Sequence, residues 1–156
     1  MTGDADGSPV DHRKLAAGYF NAAWHLIDEP SRSDAEDRDM LSLAFASRQH
    51  WIEAGGTDEN LAVSDWQVAH AASLAGFPDV ALRFARAAAA RAEAADLPTW
   101  MKASAHEGLA RAHACGGDRA NYEYEADLTR QLLEKVTDGE DRSLVESQLA
   151  SIPIPG

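Results

Sequence analysis

The sequence is short of several residue types, and each shortage excludes a class of protein. The 156 residues include a single cysteine, so the chain can form neither an internal disulfide nor a zinc module built on several cysteines. Only 14 Lys and Arg stand against 26 Asp and Glu, which gives a formal net charge of −12. Proteins that grip nucleic acid use Lys and Arg on the phosphates, so we expect no nucleic-acid partner.

Long apolar runs and targeting signals are also missing. No run reaches the roughly 20 apolar residues that a membrane-spanning helix needs. Residues 1–9 are small, polar and acidic, and they lack the apolar core of a signal peptide. The sequence therefore predicts a soluble cytoplasmic protein with no membrane partner, in which Cys115 is a reduced, packed thiol.

Short motifs of known active sites are absent as well. The chain has no phosphate-binding GxxxxGK[ST] or GxGxxG loop and no G-x-S-x-G nucleophile elbow. His106 and Glu107 begin like a zinc-protease motif, but position 110 is Ala110 where the second histidine would stand. Cys115 closes a predicted helix, where the negative end of the helix dipole disfavours a thiolate. We predict no catalytic residue, no metal site and no cofactor.

Alanine, by contrast, is abundant, with 31 among the 156 residues. Alanine has the highest helix propensity, and no stretch shows the sustained period-2 alternation of β-branched residues that is typical of strands. The sequence predicts an all-α protein of about seven helices with no sheet. We expect a single domain over residues 8–150, between a disordered tail at 1–7 and a proline-containing tail at 151–156.

Local start signals divide the predicted domain into helices. Ser8 with Pro9 at the first helical position predicts the start of the first helix. Later starts are predicted by residues that can cap a helix and, in two cases, by a partner three positions on. These are Ser33 with Glu36, Thr57 with Asn60, and Asp96.

The centre of the chain contains an internal repeat. Its two units share a large–small pair, a glycine and two positions in the following helix. These are Val68, Ala69, Gly76, Ala81 and Ala88 in the first unit, and Leu109, Ala110, Gly117, Tyr122 and Thr129 in the second. This pattern resembles a degenerate tetratricopeptide repeat (TPR) over roughly residues 58–137. The repeat is longer than the 34-residue TPR period, and Tyr122 and Thr129 replace small residues of the family pattern.

The resemblance implies a right-handed stack of antiparallel helix pairs with a concave face, although not the standard TPR peptide site. In such stacks the first helix of each pair lines the concave face. The third and fifth helices would then present these residues to the groove: Val63, Trp66, His70, Ser73, Ser104, Glu107, Arg111 and Cys115.

Two pairs of side chains in this set are candidate binding residues. Trp66 and His70 are four positions apart and share a helix face, which offers stacking area beside a titratable group. Glu107 and Arg111 have the same spacing and can pair with each other. Trp66 can also be interpreted as a core residue that fills a gap between the first and third helices.

Two further histidines complete the candidate set. His25 shares with Asn21 and Asp28 the face opposite the apolar stripe of the first helix, so all three are candidates. His50 closes the second helix, where it could reach the groove near His70. A histidine in the last turn is also favoured by the helix dipole alone.

Three functions compete on these observations. The first is a TPR-like module that binds a peptide or partner protein in the concave groove through Trp66, His70, Glu107, Arg111, His25 and His50. The second is a small-molecule-binding protein or enzyme with a pocket of the same residues. The third is a structural subunit that assembles as a homodimer through exposed helix faces.

Overall fold

The structure, a computed structural model, describes residues 7–156. This part of the chain forms seven helices and no strand, which confirms the predicted all-α class. The helices are α1 (His12–Ile27), α2 (Asp34–Glu53), α3 (Asp58–Leu74), α4 (Pro78–Ala94), α5 (Thr99–Cys115), α6 (Arg119–Leu133) and α7 (Gly139–Ala150). Apart from Gly7, the tail predicted for residues 1–7 lies outside the described residues.

The helices pack as a stack of consecutive pairs. Each helix contacts the next along the chain, and α1, α3, α5 and α7 also contact one another in that order. The odd-numbered helices therefore form one continuous layer. The even-numbered helices α2, α4 and α6 pack against that layer. No helix within residues 7–156 is long and apolar enough to cross a membrane.

The two repeat glycines end the first helix of their pairs, as predicted. Gly76 has φ 84° and Gly117 has φ 73°, a left-handed conformation that glycine adopts without steric cost. The residue after each glycine donates a hydrogen bond from its backbone N–H to a carbonyl of the preceding helix. Phe77 donates to Ala72 and Asp118 donates to His113, both over 2.9 Å. This is the Schellman arrangement, and it directs the chain back along the helix it has just left.

Alanines fill the contacts within the pairs. Ala69 and Ala72 of α3 meet Ala81 and Ala85 of α4 in one buried cluster. In the next pair, Ala110 of α5 packs with the larger Tyr122 of α6. Small side chains let two helix backbones approach closely, so the alanine-rich centre of the sequence is the close-packed centre of the stack.

Local capping explains where most helices begin. Both predicted capping boxes are confirmed, with the reciprocal hydrogen bonds present in Ser33/Glu36 and in Thr57/Asn60. The predicted start of the first helix at Ser8 is wrong, because α1 begins at His12 after Asp11. The Asp11 carboxylate accepts a hydrogen bond from the backbone N–H of Lys14. Aspartate and serine are about equally favourable as N-cap residues of a helix.

Asp96 was predicted to cap the fifth helix, and this is also wrong. It follows the end of α4 with φ 48°, the left-handed conformation that commonly terminates a helix. Its carboxylate accepts from Nζ of Lys102 over 2.6 Å, while Pro98 precedes α5 without a side-chain cap.

Candidate functional site

A cavity of about 540 Å³ opens among α1, α3, α4, α5 and α7. Its walls are mainly apolar and include the rings of Trp24, Trp66 and Trp100. Most of its lining residues come from α1, α3, α5 and α7, the helices of the continuous layer. The small side chains of Ala88 and Ala92 reach it from α4.

A second cavity of about 280 Å³ adjoins the first and shares Phe20, Val63, Trp100 and Met101 with it. Trp51, at the end of α2, lines this smaller cavity. All four tryptophans of the chain therefore line one of the two adjoining cavities. We call the residues that line both cavities the tryptophan trough.

The charged residues that line the tryptophan trough are few and all acidic. Asp28 lines the larger cavity and Glu59 the smaller, while no Lys or Arg of residues 7–156 lines either one. Ser104, Ser147 and Gln148 add neutral polar groups to the larger cavity. The trough can thus offer aromatic faces, apolar contact and hydrogen-bond acceptors.

Trp66 is fixed in the wall by contacts on several sides. Its indole N–H donates to Oε2 of Glu107 over 3.1 Å. The rings of Trp24 and His70 lie against it, with centroids 5.6 and 5.3 Å away. Only 8% of Trp66 is exposed, so this side chain has little freedom to move.

Glu107 and Arg111 form a buried ion pair behind that wall. Arg111 donates from Nε and Nη2 to Oε1 of Glu107, over 2.9 and 2.7 Å. The Nη2 group also donates to the carbonyl of Gln148 and to Oγ of Ser151, both over 2.8 Å. A buried pair is costly to desolvate, and these further bonds help to offset that cost. Together with the bond from Trp66 to Glu107, they join α3, α5 and the end of α7.

Gly108 gives Trp66 the space that this arrangement needs. A Cβ atom at position 108 would lie 2.9 Å from Cδ1 of Trp66 and 3.4 Å from its Nε1. Real Cβ contacts are essentially never that short, so any side chain at position 108 would displace the indole. Glycine is unfavourable in a helix interior, so its presence inside α5 needs a reason. The space that the indole of Trp66 occupies provides that reason.

His70 is buried next to Trp24 and Trp66, and its Nδ1 has no hydrogen-bond partner. Burial holds the pKa of His70 well below its ordinary value of 6.5, and the positive charges of Arg111 and Arg32 lower it further. The imidazole is consequently neutral at pH 7.

The structure brings four of the six predicted binding residues together, but in another arrangement. Trp66 lines the tryptophan trough, whereas His70, Glu107 and Arg111 lie among the buried residues and do not line it. Their predicted position facing the groove is wrong, because the indole of Trp66 and the end of α7 cover the ion pair. Their contacts show that they hold Trp66 in place.

The other two predicted residues lie elsewhere. His25 is exposed and does not line the trough. Nδ1 of His50 lies 2.9 Å from Nδ1 of His12, and its ring stacks on Tyr19. Thus His25, His50 and His70 do not converge, and within residues 7–156 no three side chains of metal-ligating type come together.

Trp24, Trp51 and Trp100 are trough residues that the sequence reasoning did not select. In the sequence, Trp51 continues the apolar stripe of the second helix and Trp100 follows Pro98 at a helix start, and both positions indicate packing. One sequence signal was available on α1, where Phe20, Trp24 and Asp28 are spaced four apart and share a face. That signal does not tell which neighbouring helices leave the face uncovered.

Cys115 is packed as predicted for a structural thiol. Its Sγ donates to the carbonyl of Ser73 over 3.3 Å, and burial raises the pKa of the thiol. A raised pKa leaves little thiolate at neutral pH, which disfavours a role as nucleophile.

No known protein family, curated protein or solved structure matches this chain. The geometry of the tryptophan trough is therefore the feature that indicates a function. Its titratable side chains are Asp28 and Glu59, one in each cavity. The site is suited to binding an apolar group.

Proposed function

We propose that this protein is a TPR-like interaction module that binds an apolar segment of a partner protein in the tryptophan trough. One observation carries the proposal: all four tryptophans of the chain line two adjoining cavities. The larger of these cavities is lined mainly by the odd-numbered helices, which are the helices that line the concave face in a TPR-like stack.

The chemistry of the wall supports this proposal. Tryptophan is enriched among residues that dominate binding energy in protein interfaces, especially where it borders a pocket that a partner side chain can fill. The hydrogen bond from Trp66 to Glu107 and the close packing of Trp24 hold two of the rings before any partner arrives. A preorganised wall reduces the entropy lost on binding.

The volume of the larger cavity favours a second candidate function. At about 540 Å³ it falls within the range of roughly 300–1,000 Å³ that is typical of small-molecule sites. The alternative is therefore a protein that binds a small apolar molecule in the same trough. Native mass spectrometry of the purified protein separates the two, because a tightly held small molecule would add its mass to the chain.

The proposal can be tested by blocking the larger cavity from one of its walls. Ser104 of α5 lines the cavity and is partly exposed, so Ser104→Phe would place a ring in it. Ser42 is exposed on α2 and lines none of the trough, so Ser42→Phe is the matched control. Peptides selected from a random 12-residue display library on the wild-type protein serve as probes, and the protein's tryptophan fluorescence reports binding.

We expect the selected peptides to share a large apolar residue and to shift the fluorescence of the wild type and of Ser42→Phe. Binding to Ser104→Phe should weaken at least about tenfold, since tenfold corresponds to 1.4 kcal/mol, less than a buried aromatic side chain contributes. Equal affinity for Ser104→Phe, or a library from which no apolar sequence is enriched, would overturn the proposal.

A further inference from the structure

We infer that the partner segment carries a lysine or arginine beside the apolar side chain that enters the tryptophan trough. This inference rests on the proposed function and specifies its ligand. It is carried by the unpaired carboxylate of Asp28 in the larger cavity, by the unpartnered side-chain oxygen of Gln148, a residue that lines the same cavity, and by the single sign of the charged residues that line the trough.

The first acceptor is the side-chain oxygen of Gln148 on α7. Oε1 of Gln148 is buried and has no hydrogen-bond partner, and the residue lines the larger cavity. A buried acceptor left without a donor costs free energy that a bound N–H group would recover. The backbone carbonyl of Gln148 is already held by Arg111, so the residue itself is fixed.

The second acceptor is the carboxylate of Asp28, the C-cap residue of α1. It lines the same cavity, one helical turn beyond Trp24, and pairs with no cation among residues 7–156. Arg32, the nearby arginine in sequence, is engaged with Asp37 and with two backbone carbonyls. A ligand therefore meets an unneutralised negative charge beside an aromatic wall.

The aromatic walls themselves favour a cation. A guanidinium or ammonium group is attracted to the face of an indole, and a desolvated site strengthens that attraction. The chain already contains one such contact on a trough tryptophan, where the guanidinium of Arg13, which lines neither cavity, lies 5.4 Å from the ring centroid of Trp51. The net charge of −12 would steer a basic segment toward the protein, and it would repel an acidic one.

Four synthetic hexapeptides with blocked ends test the inference. Three carry two central phenylalanines flanked by lysines, by glutamines or by glutamates, and the fourth keeps the lysines but has serines in place of the phenylalanines. None contains tryptophan, so the fluorescence of the four trough tryptophans reports binding directly. 2-Phenylethylamine, titrated in parallel, supplies the same chemistry as a free small molecule.

We expect the lysine–phenylalanine peptide to bind tightest, the glutamine peptide at least about fivefold more weakly, and the glutamate and lysine–serine peptides more weakly still. Asp28→Asn should reduce the preference for lysine over glutamine by about threefold. Asp39→Asn changes the net charge equally at an exposed position of α2 outside the trough, and it should leave the preference unchanged. Gln148→Leu should also lower the affinity for the lysine peptide.

Each contrary result has a distinct meaning. Equal affinity for the lysine and glutamine peptides would overturn the inference and leave the proposed function standing. Equal effects of Asp28→Asn and Asp39→Asn would also overturn it, because the preference would then come from net charge alone. If 2-phenylethylamine binds as tightly as the lysine peptide, a partner segment is the wrong occupant. If no phenylalanine peptide binds, the proposed function fails as well.

Discussion

The indole N–H of Trp66 donates to the carboxylate of Glu107 over 3.1 Å, and both side chains are buried. This bond joins the wall of the tryptophan trough to the ion pair behind it. Arg111 carries the connection on to the end of α7. The orientation of Trp66, one of the tryptophans of the wall, is therefore tied to a charged pair that a ligand need not touch.

Gly108→Ala is expected to lower the free energy of unfolding by about 1–2 kcal/mol, because overpacking against Trp66 outweighs the better helix propensity of alanine. The displaced indole should also shift the tryptophan emission.

Gly18, inside α1, is the matched control, since a Cβ there would meet nothing within 4 Å. Gly18→Ala should stabilise by about 0.5–1 kcal/mol. Urea unfolding followed by circular dichroism measures both, and stabilisation by Gly108→Ala would contradict the packing described.

Glu107→Gln is expected to lower the free energy of unfolding by about 3–5 kcal/mol, because it leaves the buried charge of Arg111 without its counter-charge. The exposed pair Arg142 and Glu146 has the same i,i+4 spacing, and Glu146→Gln should cost about 0.5 kcal/mol or less. Chemical unfolding of the two variants at pH 7 provides the comparison. Similar losses in both would mean that burial of the inner pair is unimportant.

His70 is expected to make the protein less stable as the pH falls below about 6.5. The pKa of His70 is lowered in the folded state, so on acidification the unfolded chain binds the proton first. Proton binding then stabilises the unfolded state relative to the folded state. The contribution of neutral His70 to the free energy of unfolding is fully present above the unfolded-state pKa near 6.5. Below that pH the free energy of unfolding falls by up to about 1.4 kcal/mol per pH unit. His70→Gln should therefore flatten the pH dependence of the unfolding free energy between pH 7 and 5.

The exposed His25 provides the control for that measurement, because His25→Gln removes a histidine that is not buried. Its unfolding profile should keep the slope of the wild type over the same pH range. A wild-type slope that survives in His70→Gln would show that another group is responsible for the acid sensitivity.

Features that depend on neighbouring residues in the sequence were predictable. The two capping boxes and the glycine turns at Gly76 and Gly117 need only side chains and backbone within a few positions. The spacing of Glu107 and Arg111 likewise predicted that they could pair. The misassigned starts at Ser8 and Asp96 belong to the same local level, where several nearby residues can serve as caps.

The sequence by itself determined that this chain is helical and where most of its helices turn, because helix propensity, capping and glycine conformation act locally. Only the tertiary structure decided that four tryptophans from four different helices line one trough and that Glu107 and Arg111 lie behind it. Those placements depend on which helix faces meet across 40 or more residues of chain, as Trp66 and Glu107 do over 41. Helical periodicity gives the direction of a side chain on its own helix, but not the neighbour that covers it.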